Sequence, residues 1–335
     1  MIECIFTLDY EIYGNGSGCL RDLVYEPAAR LAEVFLRHGS RFVLFVEAAE
    51  LARIEECDAD PAIGEVKEQV RDLHRAGFEI GLHIHPWWCN ARRENAAWKL
   101  DYNEYNLCAL PAARISDIVA EGIHYLRGLV GRPDFTPLSF RAGNWLFQPT
   151  QPLAGILAKS GIRVDSSVFR GGRQRNHGLD YRRTPNGSDF WPFDSDVTID
   201  DPHGELVEFP IHTDLVPFWR MNGVRRLAHG NAFGAAARSP RSVLTRLSDF
   251  LRLSYPLKLD FCRLSAEQMI AMIRRGLSKD GHSHVIPRPI VAIGHTKDLS
   301  DVSAVDAFLT FLSTNEIAVS TFREIYPRLV SAQAA

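Results

Sequence analysis

A distorted (β/α) barrel of about seven strands is the fold this sequence predicts; an open doubly wound sheet is the second arrangement. Short apolar runs alternate with amphipathic stretches along the chain, the pattern of βα units around a parallel sheet. Ionisable residues gather where those apolar runs stop, as they do when a barrel keeps its site at the strand ends. No linker separates two cores, so residues 1–330 read as one domain.

The elements follow in order. Residues 2–8 read as the first strand. Residues 27–38 carry apolar positions at helical spacing and begin with a proline, so they read as a helix. Residues 41–46 form the second strand, and a helix over 62–76 stops at Gly77 in the position glycine favours after a helix. Residues 78–84 make the third strand, and a longer helix over 112–129 ends before Gly131. Strands over 138–141 and 162–165 flank a helix over 151–160. The stretch 170–201 is polar and rich in Gly, Asn, Asp and Arg, and its length predicts a lid or a disordered insertion. A strand over 206–211 and an irregular region over 217–237 come next. Segments 241–253, 257–261, 266–276, 290–293, 302–313 and 317–319 continue the alternation.

Bulk properties exclude some classes. A net charge of −3 carries no electrostatic footprint for nucleic acid or an anionic membrane. No window supplies the roughly 20 apolar residues of a bilayer span. The N-terminus lacks a basic segment followed by an apolar one, so a cytoplasmic location is expected. The six cysteines are scattered without a C-x-x-C, which predicts reduced thiols. Cys89 reads as a small buried filler. The Gly14–Gly18 loop lacks the Lys-Ser/Thr ending of a phosphate loop. The arginines of 170–183 read as a solvated loop, with a grip on a phosphorylated sugar as the sharper alternative.

The chemistry concentrates at strand ends. His83-Ile84-His85 precedes Pro86, and side chains two apart share one face of a strand, so two imidazoles converge there. Such a pair suggests a divalent metal. Asp9 and Glu11 share a face at the end of the first strand in the same way. Together these are the ingredients of a hydrolytic metal site, one acid binding the ion and the other taking a proton from water. Arg141 ends the fourth strand, where a cation beside a carboxylate keeps it ionised. Asp165 ends the fifth, and His295 emerges from the apolar run Val291–Gly294, the position of a core histidine or of a general acid.

These five strand ends, in this order, resemble the polysaccharide deacetylase superfamily, also called the NodB homology or carbohydrate esterase family 4 fold, and within it the WbmS-like branch. The resemblance spans roughly residues 2–319. It implies that Asp9 is the base, that Arg141 supports it, that His295 is the acid and that Asp165 orients that acid. It implies a metal, expected to be zinc, on Glu11 and His83. Glu11 fits a variant that spaces the two acids by one residue, since Tyr10 stands where most members have the metal-binding acid. Trp87 stands where the second histidine is usual, and His85, on the face of His83, is the substitute. His212 is another candidate for that position or for substrate contact. Tyr10 or Asn144 would offer a backbone N–H to an oxyanion. Trp87 and Trp145 are candidate sugar-stacking residues.

The implied activity is metal-assisted removal of an N-acyl group, acetyl in the first instance, from an amino sugar. That sugar would be an intracellular precursor of a surface polysaccharide, free or linked to a nucleotide or lipid. Hydrolysis of a non-sugar amide on the same fold, or binding of a glycan without turnover, are the alternatives. The sugar, the acyl group and the oligomeric state are not legible in the sequence.

Overall fold

The computed structural model describes residues 2–217, 254–277 and 287–333. The helix expected over 241–253, and the irregular region 217–237 beyond its first residue, with Phe218 and Trp219, lie outside the described residues.

A nine-stranded sheet forms the centre. In chain order its strands are β1 (Ile2–Tyr10), β2 (Val43–Glu47), β3 (Glu79–Ile84), β4 (Ser139–Ala142), β5 (Val164–Asp165), β6 (Trp191–Phe193), β7 (Leu206–Glu208), β8 (Arg288–His295) and β9 (Ala318–Val319). Their order in space is β6-β7-β5-β4-β3-β2-β1-β8, with β9 also on β1. Every pairing is parallel except β6 with β7. Single bridges then join Phe169 to Ile211, Ile211 to Val291 and Asp260 to Ile293. The chain leaving β7 thus reaches β8 at the far edge, and the curled sheet is drawn into a distorted barrel.

Helices α1 (Glu26–Arg37), α2 (Ala48–Glu56), α3 (Ile63–Arg75), α4 (Ala112–Val130), α5 (Leu153–Lys159), α6 (Ala266–Leu277), α7 (Val302–Thr314) and α8 (Phe322–Gln333) accompany the sheet. Helix α2 is absent from the sequence reading. It starts directly from β2 because the Glu47 side chain accepts the Glu50 N–H and caps the first turn.

Period-two alternation divides β1 between two cores. Cys4, Phe6, Leu8 and Tyr10 face the outer layer of helices. Ile5 faces inward with Val43, Phe45, Val164, Val207, Phe209 and Val291. The inner cluster also holds Phe322, Ile325 and Leu329 of α8. Buried acids at the strand starts hold α8 in place: Glu79 accepts the Arg323 N–H at 2.8 Å, and Glu3 pairs with Arg328. Helix α8 therefore plugs the N-terminal mouth, and the C-terminal mouth is left for polar residues.

The stretch 170–201 is a packed layer, which corrects the expected lid or disordered insertion. It contains a small hairpin (Arg173–Gln174 with Leu179–Asp180) and the edge strand β6. Tyr181, Trp191, Phe193 and Val197 are fully buried, and that burial outweighs the polar composition. Its arginines are used locally: Arg170 donates to the Pro185 and Ser188 carbonyls, and Arg182 pairs with Asp180. The strand expected over 257–261 splits. Lys258 ends an antiparallel pair of Thr213–Pro217 with Ser254–Lys258, and Asp260 turns back onto β8.

Phe322→Ala should lower stability by about 3–5 kcal/mol, the cost of a cavity in a closed core. Urea unfolding measures it; a loss below about 1 kcal/mol would mean that α8 is no plug.

Candidate active site

Parallel register sets the site. Asp9 stands opposite His295 between β1 and β8, and His83 stands between Glu47 and Arg141. Asp9, Glu11, His83, His85, Arg141 and His295 are all buried at this mouth.

Arg141 is the hub. Its Nη1 donates to Asp9 Oδ1 at 2.6 Å, and its Nε donates to the Ser166 carbonyl at 2.7 Å. Its Nη2 donates to Thr7 Oγ1 at 2.9 Å and Ser166 Oγ at 3.1 Å. Burial pushes the Asp9 carboxyl up, but Arg141, followed by His295 and His83, outweighs it and leaves Asp9 below its ordinary range. His295 Nε2 lies 3.3 Å from Asp9 Oδ2. Burial lowers the His295 imidazole to about 4 despite that carboxylate, so it is neutral at pH 7.

Glu11, His83 and His85 make the adjoining donor set. Glu11 Oε2 is 3.5 Å from His83 Nε2 and 2.9 Å from His85 Nε2. His83 Nδ1 donates to the Arg141 carbonyl at 2.8 Å, which leaves the Nε2 lone pair free, and Nε2 is buried without a hydrogen-bond partner. That is the tautomer and orientation of a metal ligand, and a second-sphere carbonyl is its usual support. His85 fits less completely, because its Nδ1 is buried and finds no acceptor. Its ring packs against Gly143, where a Cβ would come within 2.6 Å of Nδ1. The set fits a divalent ion with one carboxylate and one well-posed imidazole, His85 completing it on the same face. Asp9, Glu11 and His295 form an overlapping group, but Asp9 is already committed to Arg141. His212 and Cys89 belong to neither group. All six cysteines are free thiols, and burial pushes Cys89 up to about 12, which keeps it a neutral filler.

Two expected roles change, those of Asp165 and Trp87. Asp165 does not reach His295. It accepts from Ser167 Oγ at 2.8 Å and faces Glu208, burial holding both carboxyls above their ordinary range. Ser167 Oγ in turn accepts the Ala142 N–H at 2.9 Å, so Asp165 braces the end of β4. The acid that faces His295 Nδ1, at 3.7 Å, is Asp298, itself held by Arg263 at 2.6 Å. The Tyr10 side chain points outward, because Asp9 and Glu11 point in, and its hydroxyl donates to Gln69 Oε1 at 2.6 Å; the contribution expected of Tyr10 was its backbone N–H. Trp87 is buried between His85 and Tyr105, with ring centroids at 4.3 and 4.9 Å, so it wedges a candidate ligand and offers no face to a sugar.

Trp145 does face the site, edge-on to His295 at 5.9 Å. Asn144 and Trp145 both adopt left-handed backbone, φ 52° and 61°. Such strain persists only when neighbours enforce it. Tyr181 enforces it: its hydroxyl donates to the Trp145 carbonyl at 2.6 Å and accepts the Phe147 N–H at 3.0 Å. The Asn144 amide nitrogen is buried without a partner.

The sequence reading missed four residues here. Lys258 lays its ammonium over the Trp145 ring, 3.0 Å from the centroid, and burial brings its amine down to about 7. Lys297 donates to Glu11 Oε1 at 2.7 Å. Asp298 and Tyr181 complete the group. Of the four, only Lys297 and Asp298 carried a sequence signal, as charged residues just past the candidate acid His295.

Fold and site define an α/β barrel with buried ionisable groups at its C-terminal mouth, among them a set that could hold a metal ion. No family model and no curated protein matches the sequence. Solved structures do. A Mycobacterium smegmatis protein assigned as a polysaccharide deacetylase superposes with a TM-score of 0.56 at 15% identity, over 99% of this chain and 91% of its own. The Puue allantoinase matches with a TM-score of 0.49 at 13% identity, over 97% and 88%. A Pseudomonas aeruginosa PAO1 protein, also assigned as a polysaccharide deacetylase, gives 0.48 at 14% identity, over 97% and 89%. The first of these establishes a shared fold.

Acid should weaken the protein through His295. An unfolded imidazole binds its proton near pH 6.5, whereas His295 in the fold resists until about 4. The unfolded chain holds the extra proton across that window, so stability falls as pH drops from about 6.5 to 4, by up to about 1.4 kcal/mol per pH unit. His295→Gln should remove that share of the slope in urea unfolding series; an unaltered slope would trace it to other groups.

Proposed function

We propose that this protein is a metal-dependent amide hydrolase that removes an N-acyl group, acetyl in the first instance, from an amino sugar. The observation that carries the reading is Asp9, flanked by Arg141 and His295, directly beside the Glu11/His83/His85 donor set. A binding protein has no need of a buried base and acid in contact. The fold shared with the Mycobacterium smegmatis protein supports the deacetylase reading.

Each side chain has a task. Arg141 keeps Asp9 ionised and fixes the carboxylate by one short hydrogen bond. Asp9 takes a proton from the attacking water. His295, neutral in the free site, receives that proton across the 3.3 Å gap and passes it to the departing amine nitrogen. Asp298 faces the other ring nitrogen, stabilising the imidazolium that forms in between. Glu11, His83 and His85 would hold the ion, zinc by preference for this N/O set. When bound, the ion polarises the acyl carbonyl and acidifies water. Trp145, braced by Tyr181, would stack a sugar ring on the indole face opposite the Lys258 ammonium. The substrate we infer is a precursor of a surface polysaccharide, free or linked to a nucleotide or lipid, handled in the cytoplasm. No described helix is long and apolar enough to cross a membrane.

Acetate or formate release from N-acyl amino sugars, free and nucleotide-linked, tests the activity. A simple amide or ureide panel serves as the competing arm. Turnover confined to that panel would replace the sugar reading. Asp9→Asn should cut turnover at least a hundredfold while the protein still carries its ion by elemental analysis. Undiminished turnover would remove Asp9 as the base. Replacing Glu11 and His83 together by Gln should empty the site; full occupancy would reassign the ligands.

A further inference from the structure

We propose that Lys297 is a resident cation of the donor set: by taking Oε1 of Glu11 it weakens the site's hold on a divalent ion. The inference rests on the metal reading above.

The geometry is specific. Lys297 follows His295 by two residues, in a single helical turn, Thr296–Asp298, at the end of β8. Its ammonium donates to Glu11 Oε1 at 2.7 Å and to the Ile12 carbonyl at 3.1 Å. The residue is held at both sides. Thr296 is fully buried, and Asp298 is tied to Arg263 at 2.6 Å. Lys297 is thus clamped on the carboxylate, unlike a surface lysine that samples many partners.

Two consequences follow. Glu11 turns Oε2 to the imidazoles, and an ion that also drew on Oε1 would share that oxygen with the ammonium. The donor set also carries no net charge: one carboxylate is matched by one ammonium, and a ligating imidazole is neutral. A divalent ion entering such a site meets a fixed positive charge one carboxylate away, in a place where water screens poorly.

The test measures Zn²⁺ and Co²⁺ binding at pH 8 by calorimetry with chelator competition, with the visible spectrum of Co²⁺ reporting coordination. Lys297→Met removes the charge at similar length, and Lys297→Gln is a second neutral variant; circular dichroism checks folding. A folded neutral variant should bind both ions about tenfold or more tightly than the parent, with a changed Co²⁺ spectrum as Oε1 becomes available. Lys297→Arg, which keeps the charge, should stay within about threefold of the parent. Equal or weaker binding by the neutral variants overturns the role of Lys297 and leaves the donor set standing. Absence of ion binding in every variant overturns both. If neither neutral variant folds, Lys297 is a structural residue and the proposal fails.

Discussion

The buried guanidinium of Arg141 is the constraint around which the strand ends are arranged. A charge taken wholly out of water is tolerable only when its hydrogen-bonding capacity is met in the fold. Arg141 meets it with Asp9 and Thr7 from β1 and Ser166 just past β5. Ser166 extends the tie by donating to the Phe209 carbonyl after β7. One side chain thereby fixes the relative height of four strands and holds the one carboxylate best placed to accept a proton. Its carbonyl also sets the tautomer of His83. The proposed base and the orientation of the proposed ligand are thus linked through a single residue.

Around that hub, the site separates its carboxylates by what they face. Asp9 and Glu11 each have a cation and lie below their ordinary range. Among the described residues, Glu47, Glu50, Asp165 and Glu208 make no direct ion pair, and burial raises them, Glu50 to about 8. The second group are backbone acceptors and braces. Glu47 takes the His85 N–H at 2.6 Å, Glu50 the Ile12 N–H at 2.8 Å and Glu208 the Val168 N–H at 3.0 Å. Glu50, protonated at pH 7, serves as such an acceptor without adding repulsion to the two that are ionised.

The packed 170–201 layer has a place in the same scheme. Its Tyr181 pins the left-handed turn that presents Trp145, and its Gln174 reaches the Asn144 carbonyl at 3.3 Å. What reads as a polar excursion in sequence is the scaffold of one wall of the site.

Periodicity alone placed Asp9 with Glu11 and His83 with His85, because alternate residues of a strand share a face whatever the fold around them. The same rule turns the Tyr10 side chain outward. The barrel class followed from alternating strand and helix patterns, and the strand ends from where apolar runs stop. Asp298, Lys297, Lys258 and Tyr181 had no such rule. They sit in turns and hairpins whose direction depends on how the sheet curls and on which edge meets β8. Asp165 failed as a partner for His295 because β5 and β8 lie on opposite sides of Arg141, a distance that no local spacing encodes. Local sequence determined which side chains share a face. Only the closure of the sheet decided which faces meet.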